Sequence, residues 1–214
     1  MKNIYDRFVD YLLREDKAGA IRYAIEVLET GSIAVNDLYE MVLGPALNQF
    51  HCPENDATCI WREHVRTSIV RSIVEICYPY VLKAKEAPGF VAVKKTVLVV
   101  CPPEEYHEVG ARMAADFFEL AGFDVVYVGA NTPNRDILSA VEHVRPDVLA
   151  VSVTNYYNLV KAHAFIEAIA ASRPSIRIVL GGAAFKDPKH VECVGCGEPR
   201  QSFSSIRALA SEVR

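Results

Sequence analysis

The sequence predicts an α/β protein in which a bundle of four helices precedes a parallel sheet of five strands. Up to about residue 90, apolar residues recur at helical spacing with almost no strand signal. Beyond that point, short unbroken apolar runs alternate with amphipathic segments, which is typical of buried parallel strands joined by helices. We therefore expect a helical cap domain over residues 1–85 and a sheet domain over 94–214.

The predicted bundle consists of four amphipathic segments, at residues 3–15, 17–30, 37–48 and 57–83. Gly31 follows the second segment as a helix stop, and Asp37 can cap the third. Gly44-Pro45 should bend or interrupt the third segment, because proline has no N–H to donate and its ring crowds the preceding turn. Four helices with short connections indicate a bundle.

The sheet domain begins with Val97–Val100, an unbroken apolar run that predicts a strand buried on both faces. Further strands are predicted at 124–128, 148–153, 177–180 and near Cys193–Val194, and helices at 108–121, 133–144, 157–172 and 202–213. This alternation predicts a doubly wound, flavodoxin-like sheet. Ligands of such sheets bind beyond the carboxyl ends of the strands.

Composition argues against two classes of partner. The net charge is only −4 and the sequence has no Lys/Arg run, so we expect no direct nucleic-acid partner. No apolar stretch approaches the roughly 20 residues that span a bilayer. The N-terminal segment carries acids and lacks the apolar core of a signal peptide. We therefore expect a cytoplasmic protein with no membrane partner.

Six cysteines are present, and in the cytoplasm we expect all of them to be free thiols. Cys193 and Cys196 have the CxxC spacing of zinc and redox sites. No second CxxC and no pair of histidines follows at matching spacing, and a thioredoxin-like pair would follow the first strand. We favour a short strand with two buried small side chains.

Three loops at the ends of predicted strands carry unusual groups. The first strand leads into Glu105-Tyr106-His107, with a glycine at 110; the third ends in Ser152-Val153-Thr154, and the fourth in Gly181-Gly182. Each group alone is a weak signal, since a loop histidine is usually a solvated surface residue and glycines at strand ends usually make turns. The three groups together, in this order and at these strand ends, indicate a binding site much more specifically than any one of them does.

Together these groups resemble the signature of the cobalamin-binding domain family, DxHxxG followed by SxL and GG. The sequence reads Glu105-x-His107-x-x-Gly110, then Ser152-x-Thr154, then Gly181-Gly182. The segments YVGANTP, AVSVT and VLGGAAF are also similar to the family, and residues 1–85 resemble the helical cap that precedes its sheet. Glu105 replaces the family's usual Asp, and Thr154 replaces its Leu.

The resemblance implies that His107 is the lower axial ligand of the cobalt of a cobalamin, in place of the cofactor's own base. Its coordinating nitrogen must then be neutral, while the other ring nitrogen donates to an acid or a carbonyl that fixes the tautomer. Glu105 is expected to be that acid. Gly110 would let the edge of the corrin lie on the start of the following helix.

The same resemblance assigns the other motif residues to the nucleotide tail of the cofactor, which the histidine displaces. Ser152 and Thr154 would form hydrogen bonds with the tail. Gly181 and Gly182 would open the slot that receives it.

In the light-sensing repressors of this family, the cap covers the upper face of the corrin with a Trp and, ten residues later, a Glu-His pair. Glu63 and His64 resemble that pair, but Pro53 stands where the Trp is expected. Phe50 is the nearest upstream aromatic residue, and Trp61 is equally open to corrin contact or bundle packing. Adenosylcobalamin is the expected cofactor, with methyl- and hydroxocobalamin as alternatives.

Two functions are open from the resemblance. The first is a sensor or regulator of transcription that responds to light through the Co–C bond and signals through a protein partner. The second is a corrinoid carrier that brings a methyl group to a methyltransferase; such carriers usually show GDxHDIGKN. The ExHxxG form and the GARMAADFF continuation favour the sensor. We expect no catalytic residue, no DNA-binding module ahead of the cap, and a possible homo-oligomer.

Overall fold

The computed structural model describes residues 2–49 and 58–213. The chain divides into two compact units, Met1–Ala87 and Pro88–Arg214. The first unit is helical, and the second contains a five-stranded, all-parallel sheet with flanking helices. The predicted fold class is confirmed.

In its described residues, the first unit contains four helical segments. They are α1 (Lys2–Leu13), α2 (Lys17–Glu29), a segment in which α3 (Val35–Leu38) continues through a π turn (Tyr39–Leu43) into α4 (Gly44–Asn48), and α5 (Cys59–Lys85). Apolar side chains on their inner faces are almost fully buried, among them Phe8, Leu12, Leu38 and Ile73. The helical periodicity in the sequence therefore reflects one shared core.

The interruption expected at Gly44-Pro45 takes the form of a π turn just before the proline. The N–H of Gly44 bonds to the carbonyl of Tyr39, five residues back. Pro45 has no N–H and its ring needs room next to the preceding turn, so a wider turn relieves the clash. The hydroxyl of Tyr39, buried in the core, donates to the carbonyl of Val74 at 3.2 Å.

The second unit alternates strands and helices. Its elements are β1 (Thr96–Val100), α6 (Val109–Leu120), β2 (Asp124–Gly129), α7 (Asn134–Val144), β3 (Val148–Ser152), α8 (Leu159–Ser172), β4 (Arg177–Gly181), α9 (Pro188–Cys193), β5 (Glu198–Pro199) and α10 (Phe203–Glu212). The strand order is β2-β1-β3-β4-β5, and each pairing is parallel. Two interior strands, β1 and β3, are apolar runs seen in the sequence, and they are buried along nearly their whole length.

The fifth strand was predicted near Cys193–Val194, and that prediction is wrong. The carboxylate of Asp187 accepts a hydrogen bond from the N–H of Lys189 at 3.0 Å, which caps a helix that continues through Cys193. The chain then turns, and Glu198–Pro199 pairs with β4. Cys193 is exposed and Cys196 is half-buried, so a pair of buried strand cysteines is also wrong.

The cysteines depart from the expected pattern at one further position. Cys77, Cys101, Cys193 and Cys196 are free thiols, but Cys59 is disulfide-bonded, so the expectation of free thiols is wrong for Cys59. Cys52 lies outside the described residues.

Within residues 2–49 and 58–213, no cluster of three or more His, Cys, Asp or Glu side chains could hold a metal ion. No helix in the same ranges is long and apolar enough to cross a membrane.

Candidate functional site

The candidate site lies at the carboxyl ends of β1 and β3, two neighbouring interior strands of the sheet. The chain leaves β1 toward β2 on one side and leaves β3 toward β4 on the other, so the loops after these strands diverge. A crevice forms at such a switch point in doubly wound folds, and ligands bind there. The loop after β1 carries Glu105 and His107.

The carboxylate of Glu105 joins these two loops. Its side chain is fully buried. Oε1 accepts hydrogen bonds from Nδ1 and the backbone N–H of His107, at 2.6 and 3.1 Å. Oε2 accepts from the backbone N–H groups of Thr154 and Asn155, at 2.9 and 2.8 Å, and from Nδ2 of Asn158 at 3.3 Å. One buried charge is thus satisfied by five donors from two loops about 50 residues apart.

These donors keep Glu105 ionised. Burial alone raises the pKa of Glu105, but the hydrogen bonds from His107, Asn155 and Thr154 outweigh it and lower the pKa from its ordinary 4.5 to about 2. An ionised carboxylate can only accept, so a neutral His107 places its proton on Nδ1 and its lone pair on Nε2. The imidazole side chain is 60% exposed. This is the arrangement of a metal-binding histidine with a carboxylate behind it.

The backbone of the same loop is braced by Asn131, which follows β2. Oδ1 of Asn131 accepts from the N–H of Glu104 at 2.8 Å, and the N–H of Asn131 donates to the carbonyl of Glu105 at 3.0 Å. Glu104 and Asn131 both have left-handed backbone conformations, with φ of 64° and 49°. Such conformations cost energy in residues other than glycine and persist where the surroundings enforce them.

Asn158 braces the loop from the other side. It is buried, and its Nδ2 donates to the carbonyl of Glu104 at 3.2 Å as well as to the carboxylate of Glu105. Sequence reasoning missed both asparagines. The GANTP turn offered a signal for Asn131, because asparagine tolerates left-handed backbone better than most residues. Asn158 had no comparable signal, since it contacts residues more than 50 positions away.

The three acids of the loop have separate partners. Glu104 forms an ion pair with Lys161. Glu108 accepts hydrogen bonds from the hydroxyl of Tyr127 and the N–H of Ala130, both at 3.3 Å. Glu105 holds His107. The extra methylene of Glu relative to Asp therefore does not prevent a direct contact with the histidine.

Gly110 and the two strand-end glycines have different surroundings. A Cβ at Gly110, in the first turn of α6, would meet no atom within 4 Å, so open space lies at this helix start. A Cβ at Gly181 would lie no closer than 3.8 Å to any atom outside its neighbours. A Cβ at Gly182 would lie 2.3 Å from the carbonyl oxygen of Val153. The space freed at Gly182 is filled by the protein's own backbone.

Backbone hydrogen bonds hold the loops after β3 and β4 together. The N–H of Val153 donates to the carbonyl of Gly181 at 2.9 Å, and the N–H of Ala184 donates to the carbonyl of Val153 at 3.1 Å. Ser152 pairs with Gly181 in the sheet register and is buried. Thr154 contributes its backbone N–H to Glu105. Ser152, Thr154 and Gly181 therefore lie at the carboxyl ends of β3 and β4.

The predicted upper-face residues lie in the other unit. Trp61, Glu63 and His64 are exposed on the first two turns of α5. Trp61 is 49% exposed, so its ring is not part of the bundle core. The guanidinium of Arg62 lies 5.6 Å from the centroid of that ring. The upstream Phe50 and Pro53 lie outside the described residues.

Comparison with known proteins identifies the family of the chain. The family model described as the B12 binding domain matches residues 95–204, which is more than half of the chain. The chain belongs to the B12 binding domain family. Its cofactor is therefore a cobalamin or a related corrinoid. An exposed imidazole held by a buried carboxylate, beside open space at Gly110, fits such a cofactor.

Individual relatives of this B12 binding domain protein differ in function. Over 154 residues it is 26% identical to the HTH-type transcriptional repressor CarA of Myxococcus xanthus, a match that covers 72% of this chain and 51% of the relative. The chain thus spans about half the length of that relative.

Its fold resembles the monomethylamine corrinoid protein of Methanosarcina barkeri, with a TM-score of 0.79, 18% identity, and coverage of 100% of this chain and 99% of the other. A cobalamin-binding protein of Desulfitobacterium hafniense has a TM-score of 0.53 and 13% identity, with full coverage of both chains. The methanol:cobalamin methyltransferase complex MtaBC of M. barkeri has a TM-score of 0.52 at 13% identity, with 99% of this chain and 79% of that chain covered. At these identities the structural matches show a shared fold.

Proposed function

We propose that His107 is the lower axial ligand of cobalt in a bound cobalamin, and that Nε2 is its coordinating atom. The hydrogen bond of 2.6 Å between Nδ1 of His107 and the buried carboxylate of Glu105 carries this proposal. It fixes the ring orientation and the tautomer, and it raises the basicity of the opposite nitrogen. Gly110 provides room for the corrin edge next to the ligand.

The displaced nucleotide tail would lie along the edge between β3 and β4, next to Ser152, Thr154 and Gly181. Support comes from the space at Gly181, where a Cβ would have no close contact. Gly182 contributes indirectly, by letting the loop after β4 pack against Val153. The proposal therefore gives the two neighbouring glycines different roles.

The first turns of α5 would contact the upper face of the cofactor through Trp61, Glu63 and His64. Their exposure on one helical segment supports this assignment. Bound adenosyl- or methylcobalamin supplies a labile cobalt–carbon bond at that face. The protein's part is to cover or release that face, and adenosylcobalamin is the form we expect.

As a biological role, we propose a cobalamin-dependent sensor that responds to light and regulates transcription through a protein partner. The main support is the sequence relative CarA, a transcriptional repressor that matches 72% of this chain. No residue of the chain is assigned a catalytic role in this proposal. The signal would be a change in how the protein assembles, either with further copies of itself or with a regulator protein.

A methyl-carrying role is the second candidate. The full-length fold match to a monomethylamine corrinoid protein favours it, since that match covers almost the whole of both chains. In that role the partner would be a methyltransferase. Sequence identity is lower for this relative than for the repressor, 18% against 26%, so we place the sensor first.

The ligand assignment is tested by His107→Ala. Purified wild-type protein should bind cobalamin one to one and give the absorbance spectrum of histidine-ligated cobalt. The variant should lose that spectrum and bind more than about 10-fold more weakly, as expected when a metal-binding contact is removed. His143→Ala is the matched control, because His143 is an exposed histidine on α7. An unchanged spectrum in His107→Ala contradicts the assignment.

The biological role is tested by loading the protein with adenosyl- or methylcobalamin. Oligomeric state and spectrum are then compared in the dark and after illumination, by size-exclusion chromatography with light scattering. A light-dependent change in assembly is the expected result. Unchanged assembly together with methyl transfer to an added methyltransferase would favour the carrier.

A further inference from the structure

Three aromatic rings stand in a row at the edge of the sheet that carries the site. Tyr156 and Tyr157 lie in the short turn after β3, with ring centroids 4.1 Å apart and planes at 34°. The ring of Tyr156 is also nearly parallel to that of His190 in α9, with the ring centroids 6.2 Å apart and an angle of 12° between the planes. The two tyrosines are 52% and 71% exposed. Half or more of the surface of each tyrosine is thus open to a ligand.

The row is anchored to the two loops that flank Ser152 and Gly181. Nδ1 of His190 lies 2.6 Å from the carbonyl of Ala184, and the N–H of Ala184 donates to the carbonyl of Val153. Tyr156 belongs to the loop after β3, and His190 to the segment after β4. The two rings therefore lie near each other although they follow different strands, and the histidine is oriented before any ligand arrives.

A planar heteroaromatic ring is the ligand that best complements such a row. Flat rings stack on tyrosine and histidine in offset geometry, and each base stacked on an aromatic side chain adds appreciable affinity. In cobalamin, the base of the nucleotide tail is a flat aromatic ring. The corrin, in contrast, is a large and partly saturated macrocycle with amide side chains.

We propose that Tyr156 and His190 form a binding site for the base or the adjoining part of the nucleotide tail of cobalamin. The inference rests on the proposed function, because it assumes that the tail enters between the loops after β3 and β4. It adds two residues that no motif of the sequence indicated. It also assigns them a contact with the tail alone, separate from cobalt ligation by His107.

The test compares cobalamin with cobinamide, which has the same corrin but no nucleotide. Dissociation constants are measured by absorbance titration for the wild type, Tyr156→Ala and His190→Asn. Asparagine can retain the bond to the carbonyl of Ala184 while removing the ring. Each variant should weaken cobalamin binding about 10-fold and leave cobinamide binding unchanged. Tyr156→Phe should restore cobalamin binding, and His143→Ala should have no effect on either ligand.

Each other result overturns the proposal. Equal losses for cobalamin and cobinamide would show that the rings contact the corrin or support the fold. No loss for either ligand would show that the rings do not contact the cofactor. A wild-type protein that binds no cobalamin would overturn the proposed function and this inference together. A wild type with histidine-ligated cobalamin but no selective loss in the variants would overturn this inference alone.

Discussion

The loop that carries His107 and the helical turns that carry Glu63 and His64 differ in how their side chains are held. The loop is irregular and is fixed by groups that follow β2 and β3, through Asn131 and Asn158. The first turns of α5 are regular helix, and their candidate side chains are exposed. The loop is therefore held by distant parts of the chain, whereas the other region is formed by local helical hydrogen bonds within α5.

This difference indicates how freely each region can change. In the loop, Glu105 satisfies donors from several residues, so a substitution leaves buried polar groups without partners. On the helix, an exposed side chain can be exchanged without disturbing its neighbours.

The largest effect is expected for Gly182→Ala. The new Cβ would lie 2.3 Å from a backbone oxygen of Val153, at a φ of 96° that alanine rarely adopts. We expect a loss of more than about 3 kcal/mol in the free energy of unfolding, measured by urea denaturation. Gly181→Ala is the matched control and should change stability by less than about 1 kcal/mol while weakening cobalamin binding. Similar losses of stability at both glycines would contradict the separate roles.

A smaller effect is expected for Glu105→Gln at neutral pH. The amide places an N–H₂ group against backbone donors of Thr154 or Asn155, or against His107, so we expect a loss of about 2–3 kcal/mol in the free energy of unfolding. The histidine-ligated spectrum should weaken as well, because the tautomer of His107 is no longer fixed. A variant with wild-type stability and spectrum would contradict the central place of this carboxylate.

The effect of Glu105→Gln on the free energy of unfolding should depend on pH. The pKa of Glu105 falls from 4.5 to about 2 on folding, so its contribution to stability is complete above pH 4.5 and is lost as pH falls toward 2. The difference in unfolding free energy between wild type and Glu105→Gln should therefore shrink across that interval. A difference that stays constant from pH 5 to pH 2 would show that the charge of Glu105 is not the cause.

The smallest effect on stability is expected in the cap. Trp61→Ala and His64→Ala should each change the free energy of unfolding by less than about 0.5 kcal/mol, because both side chains are exposed. If they cover the upper face, the rate of photolysis of bound adenosylcobalamin should change. A large loss of stability with an unchanged photolysis rate would mean that these residues serve the fold.

Sequence reasoning reached the fold because hydrophobic periodicity is a local property. The buried runs of β1 and β3 and the helical stripes of the cap could be read directly from residue spacing. The position of β5 could not, because only two residues pair with β4 and a capped helix replaces the expected strand. Short elements at a sheet edge depend on partners that the local pattern does not reveal.

For the site, the sequence pointed to His107 and Glu105 but not to their supports. Asn158, Asn131 and the pairing of Tyr156 with His190 arise from contacts between separate loops. No spacing rule within a single segment predicts such contacts. The sequence also could not distinguish the two strand-end glycines, since their difference depends on how closely Val153 approaches.

The carboxylate of Glu105 also links the position of one ring to the position of a helix. Its two oxygens bind His107 on one side and the turn that leads into α8 on the other. A movement of the imidazole therefore displaces the carboxylate and, with it, the turn that leads into α8, because the carboxylate group is rigid and its donors are already in place. If His107 ligates cobalt as proposed, a shift of the metal toward or away from His107 would be transmitted to the turn before α8 through a single buried side chain.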